Sequence, residues 1–433
     1  KINESEKKRE IKIINPLIRC HMKVAHVIQR YLPSDQLRGA ERYMCAVSEK
    51  LAKKGFSITI LTSKNITSNG FHSIIFNPFT KKIKKKIEEI NGVDVVRFDT
   101  NYPLKILLHG IYFISRIIRI NQLKELFFLL SYGPLLSPIY YHIKNSDYDI
   151  VHATPPIYVH TWLAWKAARK KKIPFVILSL YHFEMSTLHQ KNRYVNKIIR
   201  NSDAVITCTN IEKKKLVETG VSQNKIHVVP LGIEPSDWKI QSGKRFRKKY
   251  SINKNDFVLL LPFKEYYKGA TNTLKAVKLL SKYKKMVIIA LGNTNEKSWR
   301  EEVKKCEHIR IIEPGWINED EKKDIFDGCD ILVQPSIDES FGITYFEAWM
   351  CGKAVIGAKA GVMPEIIRDG IDGYLVKFGN TKELAEKIMY LYKNPKLRMD
   401  MGNNGKKKVL KEYTWDIVSK NLESIYNNIG LNR

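Results

Sequence analysis

Cysteine is scarce in this 433-residue chain: six residues (Cys20, Cys45, Cys208, Cys306, Cys329, Cys351), with no C-x-x-C pair and no regular spacing. That scatter argues against a disulfide framework or a cysteine zinc site and points to a reducing, cytosolic setting. Acidic residues are also in short supply, 44 Asp and Glu against 74 Lys and Arg, for a formal net charge of +30. Such a surplus favours polyanions, so nucleic acid, anionic lipid and phosphorylated substrates all qualify as partners. A Lys- and Ile-rich composition with no special partner gives the same sum. Residues 1–21, KINESEKKREIKIINPLIRCH, lack the long apolar core and small-residue cleavage site of a signal peptide and read as an extension. No short-period repeat occurs, and the one low-complexity run, KKIKKK at 81–86, reads as a solvated helix face or loop.

What is present is an ordinary globular composition, 44% apolar and 27% charged, in a chain long enough for two cores. From Met22 onward short β-branched runs alternate with amphipathic stretches. KVAHVIQ (23–29), the helical segment at 40–55 and SITILTS (57–63) form a β-α-β unit, the building block of parallel sheets. DIVHA (149–153), IPFVILS (173–179), AVITC (204–208) and KIHVVPLG (225–232) continue the pattern. After a basic stretch a second series runs through FVLLLP (257–262), MVIIAL (286–291), IRIIEPG (309–315), DILVQPS (330–336), AVIGA (354–358) and DGYLV (372–376). The division expected is an extension at 1–21, a first Rossmann-like domain at 22–232, a second at 233–412 and a closing helix at 413–433 that crosses back to the first.

The segment PSIDESFGITYFEAWMCGKAVIG (335–357) carries the strongest chemical signal. Ligands of open α/β sheets collect at the carboxyl ends of strands, where a following helix presents unpaired N–H groups and the positive end of its dipole. Gly342 allows close backbone approach. Glu339 and Glu347, read as about two turns apart on one helical face, offer carboxylates to two sets of sugar hydroxyls. A second strand, basic loop and helix entrance occurs at LLLPFKEYYKGATNTLKAVKLL (259–280), with Lys268 before Gly269 and the makings of a phosphate cradle.

These motifs resemble the retaining glycosyltransferases of the GT-B architecture, particularly family 4, over about residues 22–430. The resemblance implies two Rossmann-like domains facing across a cleft. It makes Glu339 the carboxylate that touches the transferred sugar and Glu347 the one that holds ribose, with the backbone of Ser340, Phe341, Gly342 and Ile343 on phosphates and sugar. Lys268 matches the family lysine at the diphosphate, while the family arginine is not matched and Lys264 stands one place later. Gly39, in LRGAERYM (37–44), falls in the family's Gly-rich loop, which has one glycine here. His182, after IPFVILS, sits where relatives carry a cleft-facing histidine near the donor sugar. Trp316 lies in the segment that edges the nucleobase, as a stacking surface or a buried indole. Catalytic roles are thereby expected for Glu339, His182 and Lys268.

The resemblance further implies a nucleotide-sugar donor, UDP- or GDP-linked, and a glycan or lipid-linked acceptor, with no nucleic acid and no cofactor. No D-x-D or metal-ligand cluster stands out as a diphosphate metal site, so metal-independent transfer is expected. Residues 103–143, rich in Leu, Ile, Phe and Tyr with interspersed basic residues, suit a segment that seeks an anionic membrane surface, or else a pair of core helices. The location expected is cytoplasmic and peripheral at the inner membrane face. A basic nucleic-acid- or lipid-binding protein that keeps the fold, and a nucleotide-sugar epimerase of similar architecture, are the alternatives.

Overall fold

Alternating β-branched strands and amphipathic helices demand parallel sheets covered on both faces, and the chain builds two. The computed structural model describes residues 22–430 except 35, 36, 38, 67–81, 119, 183–191, 240–242, 282, 284, 293 and 295. The extension read at 1–21 and the first residue of the KKIKKK run lie outside the described residues; the remainder of that run is loop leading into a strand.

The first sheet comprises β1 (Lys23–Val27), β2 (Ser57–Ser63), β3 (Ile87–Ile90), β4 (Val93–Phe98), β5 (Ile150–Ala153), β6 (Phe175–Leu178), β7 (Ala204–Thr207) and β8 (Ile226–Val228). Their spatial order is β3-β4-β2-β1-β5-β6-β7-β8, parallel throughout except for the antiparallel edge strand β3. The second sheet comprises β9 (Phe257–Leu261), β10 (Met286–Ala290), β11 (Arg310–Ile312), β12 (Ile331–Gln334), β13 (Ala354–Ala358) and β14 (Gly373–Val376). It is all-parallel in the order β11-β10-β9-β12-β13-β14. Every residue of β9, β10, β12 and β13 is buried, which is why these strands read as continuous apolar runs rather than alternating ones.

The two halves meet through a covalent and a packed connection. Beyond β8 the chain passes Ile233, whose backbone pairs with that of Thr414, and the final helix Trp415–Gly430 packs on the helix Gly39–Ala52 of the first half. Its Tyr426 hydroxyl lies 3.0 Å from His26 Nε2 and 2.5 Å from His152 Nδ1, all three residues having no exposed surface. Burial lowers the His26 pKa to about 3 and that of His152 well below the usual value, so both imidazoles are neutral members of the core.

Two sequence expectations need correction. The stretch at 103–143 is not a pair of core helices but three helices, Tyr102–Ile117, Asn121–Ser131 and Pro138–Lys144, and the first turns its apolar side outward. Among the described residues no helix is long and apolar enough to cross a membrane. The two glutamates do not share a helical face either: the helix starts at Ile343, after Gly342 at φ +81°, and Glu339 stands on the loop before it.

Candidate functional site

The carboxyl edge of the second sheet presents two helix entrances side by side. After β9 the chain makes a 3-10 turn at Tyr266–Lys268, passes Gly269 at φ +82° and enters the helix Ala270–Lys278. A Cβ on Gly269 would stand 2.4 Å from the Pro335 carbonyl oxygen, so only glycine lets this entrance pack against the loop after β12. That packing brings Lys268 Nζ to 2.8 Å from Glu339 Oε1.

Glu339 is 6% exposed, and the same oxygen also accepts from Ser336 Oγ at 3.0 Å and from Gln334 Nε2. Burial pushes the Lys268 ammonium pKa down, but the adjoining Glu339 carboxylate more than offsets this and holds it above the usual lysine value. The ammonium also sits over the Phe263 and Tyr267 rings, at 5.2 and 5.0 Å from their centroids. Lys264, which is buried, pairs with Glu313 at 2.6 Å rather than with Glu339.

On the helix Ile343–Met350, Glu347 is 2% exposed and its Oε1 accepts from Lys322 Nζ at 2.5 Å and, more loosely, from Arg42 Nη1 at 3.4 Å. Its Oε2 is buried with no hydrogen-bond partner among the described residues. A buried carboxylate oxygen without a donor is costly, and an incoming hydroxyl would satisfy it. Ser340 and Ile343 are half-buried, whereas the Phe341 side chain is buried and stacks on Phe346 at 4.7 Å. The ring of Phe341 is thus core, leaving only its backbone to face a ligand.

The first half supplies the opposite wall. Gly39 opens the helix Gly39–Ala52 with an ordinary φ, and a Cβ added there would meet no atom of the described residues within 4 Å, so nothing among the described residues requires glycine at this position. From the same helix Arg42 crosses to Glu319 as well as to Glu347. His182 Nδ1 lies 3.5 Å from Oδ2 of the wholly buried Asp338, one residue before Glu339. Glu365 spans the halves too, accepting from the Asn210 and Ile211 backbone N–H groups at 2.8 and 2.9 Å at the start of the helix Asn210–Glu218.

Sequence reasoning missed Glu212, which anchors the turn that presents His182. Its carboxylate accepts from Ser179 Oγ, from Tyr181 N at 2.8 Å and from Cys208 N at 2.7 Å, and burial raises its pKa against the opposing pull of these donors. The signal was available as Thr209-x-x-Glu212, the pattern of a capping box; Thr209 Oγ1 does accept from Glu212 N at 3.1 Å. Arg42 and Asp338 carried no comparable signal, because their roles come from which residues face them across the cleft.

Trp316 is 67% exposed, which removes the buried-indole alternative and leaves an open ring face on the β11 side. A cavity of about 660 Å3 lies between the halves, with Gly39, Arg42, Glu319, Ile343 and Glu347 in its walls, a size suited to a small-molecule ligand. Glu339, Lys268 and His182 lie outside its walls. Among the described residues no group of three or more His, Cys, Asp or Glu could hold a metal ion, and the five described cysteines are free.

Comparison with known proteins divides the chain at the same place as the sheets. Residues 37–237 match the family model Glycosyltransferase Family 4, and residues 243–408 match Glycosyl transferases group 1. The chain is similar to the N,N'-diacetylbacillosaminyl-diphospho-undecaprenol alpha-1,3-N-acetylgalactosaminyltransferase of Campylobacter jejuni, 25% identical over 59% of this chain and 65% of that enzyme. It is also similar to the O-antigen chain mannosyltransferase C of Escherichia coli, 22% identical over 94% of this chain and 99% of that one. Several alignments of this kind span less than two thirds of the relative. Among solved structures, Anabaena HepE in complex with UDP-glucose superposes with a TM-score of 0.69 at 16% identity, over 94% of this chain and all of that one, a likeness of fold.

Proposed function

Because the chain belongs to the GT-B glycosyltransferases, with a family 4 first half and a group 1 second half, we propose that it moves a glycosyl group from a nucleotide sugar to a glycan hydroxyl, with retention at the anomeric carbon. The observation that carries this reading is Glu347: a carboxylate on a helix at the cleft, 2% exposed, with one oxygen paired to Lys322 and the other without a donor. Ribose hydroxyls supply the missing donors. Lys268 and the N–H groups at the two helix entrances then meet the diphosphate, Glu339 the transferred sugar, and Trp316 the base.

In the reaction the bond from the anomeric carbon to the diphosphate oxygen breaks and its electron pair leaves with the diphosphate. The acceptor hydroxyl oxygen forms the new bond from the same face, and its proton passes to the departing phosphate oxygen. Lys268 and the helix dipoles stabilise the charge that develops there, in a cleft that excludes water. No metal ion is needed for that charge balance. For the ammonium to reach the phosphates Lys268 must share or leave its contact with Glu339, which binds this carboxylate to the donor-loading step. His182, held by the Glu212-anchored turn, faces the sugar. The acceptor is a glycan, lipid-linked as in the name of the Campylobacter relative; a soluble oligosaccharide is the other outcome of an acceptor screen.

The test uses released nucleotide. Incubation with UDP- and GDP-sugars should give slow release from one donor class, absent in Glu339→Gln although that variant keeps its melting temperature within a few degrees. Wild-type release from a folded Glu339→Gln protein would remove the site, and no thermal shift with UDP, GDP or ADP would remove the donor reading.

A further inference from the structure

Nineteen large apolar side chains are exposed among the described residues, and nine of them fall between Leu104 and Leu123. Exposure is therefore concentrated in one short segment, not scattered as on an ordinary surface. The helix Tyr102–Ile117 is inverted. Its inward stripe is Lys105, His109, Tyr112 and Ser115, all buried, while Ile106, Leu107, Phe113, Ile114 and Ile117 face outward, Ile117 at 80% exposure. A helix of a water-facing surface turns its stripes the other way. Burial of Lys105 lowers its pKa to about 7, so the polar stripe is kept inside at a cost that the outward apolar stripe would avoid by rotating, were water the medium it faces.

Within residues 100–124 the charge has one sign. No Asp or Glu occurs from 100 to 124, whereas Arg116 and Lys124 flank the apolar side chains, the Arg116 guanidinium resting 6.0 Å from the Tyr112 and Phe113 rings. A second copy of the chain docked face to face would set these cations against each other; an anionic surface would not. At 16 residues the helix is too short to cross a bilayer but long enough to lie in its interface. It follows β4, whose carboxyl end lies on the same edge of the parallel sheet as that of β1, from which the chain leads to Gly39 and the cleft.

We propose that the outward face of the Tyr102–Ile117 helix and the turn to Leu123 dock in the interfacial layer of an anionic lipid leaflet, holding the cleft edge of the first half at the membrane. This stands independently of the donor chemistry. The apolar side chains enter the headgroup and acyl boundary, and Arg116 and Lys124 remain at the phosphates.

The test is co-sedimentation of the full chain with vesicles of phosphatidylcholine alone and of phosphatidylcholine mixed with phosphatidylglycerol, at low and high salt. The wild type should pellet with the anionic vesicles at low salt and come off at high salt. The triple variant Leu107→Ser, Ile114→Ser, Ile117→Ser should lose about a hundredfold in partitioning, and Arg116→Gln or Lys124→Gln about fivefold each. A control with Leu279→Ser, Met399→Ser and Leu410→Ser, exposed apolar residues elsewhere, should bind as the wild type does. A wild type left in the supernatant overturns the proposal, as does a triple variant that pellets normally. A lipid-free dimer that the triple variant splits overturns it in favour of a second copy of the chain.

Discussion

Replacing Lys268 by methionine removes the cation from a pair whose members expose only 11% and 8% of their side chains at a separation of 2.8 Å. At an effective dielectric of about 20 the attraction lost is about 6 kcal/mol, but the net cost is smaller. Lys268 no longer has to be desolvated, and Gln334 and Ser336 still donate to the same Glu339 oxygen. Broken buried pairs cost about 3–5 kcal/mol when the orphaned charge stays, so with two neutral donors remaining the expected loss is about 3 kcal/mol. Adding Glu339→Gln to Lys268→Met removes the orphaned charge and should recover most of it, giving a coupling of about 2–3 kcal/mol in the double-mutant cycle. Urea unfolding followed by tryptophan fluorescence at pH 8 reads this. The same variant should bind UDP or GDP more weakly by about 1.5–3 kcal/mol, the worth of a charge-assisted contact. A deficit below about 1 kcal/mol at pH 8, or strict additivity of the two substitutions, would refute the reasoning, because it would mean that the pair is solvated and not a buried switch between carboxylate and phosphate.

Glu212→Ala should unfold at lower urea, by about 3 kcal/mol, since it leaves the Tyr181 and Cys208 N–H groups without their acceptor and the Ser179 hydroxyl with the Ile206 carbonyl alone; it should also reduce turnover by releasing the turn under His182, and wild-type kcat in the folded variant would count against that positioning role. Gly269→Ala, which forces a methyl to 2.4 Å from the Pro335 carbonyl at a φ of +82°, should cost about 3 kcal/mol and weaken nucleotide binding, and an unchanged melting temperature would show that the entrance is not packed as described. His26 and His160 both have folded pKa values lowered to about 3 by burial, so between that value and about 6.5 the unfolded chain binds more protons. Stability is therefore full above pH 6.5 and lost as pH falls, by about 2 kcal/mol for each histidine at pH 5; a melting temperature that stays flat from pH 8 to pH 5 would contradict the burial of these rings.

Much of the architecture is written in local pattern. SITILTS and AVIGA coincide with β2 and β13 to the residue, because β-branched runs bounded by turn residues have few other conformations. The entrances at Gly269 and Gly342 were legible for the same reason: each is a strand, a short loop and a glycine ahead of a helical stretch, and both glycines take the positive φ that other residues avoid. The edge hairpin β3 and β4 was not legible, since Ile87–Ile90 is half polar and only partly buried, and its strand character comes from pairing with Val93–Phe98.

The chain's own sequence, then, determined the alternation of elements, the two parallel sheets and the motif residues Lys268, Glu339 and Glu347, all properties of neighbours within about twenty residues. Only the tertiary structure decided what those residues face. Lys268 meets Glu339 across 71 positions, Arg42 meets Glu347 across 305, Tyr426 reaches His26 across 400, and the helix Tyr102–Ile117 turns its polar stripe inward. Periodicity marks which residues share a side of a helix, but not which side is covered; that depends on packing against distant segments, and no local pattern encodes it.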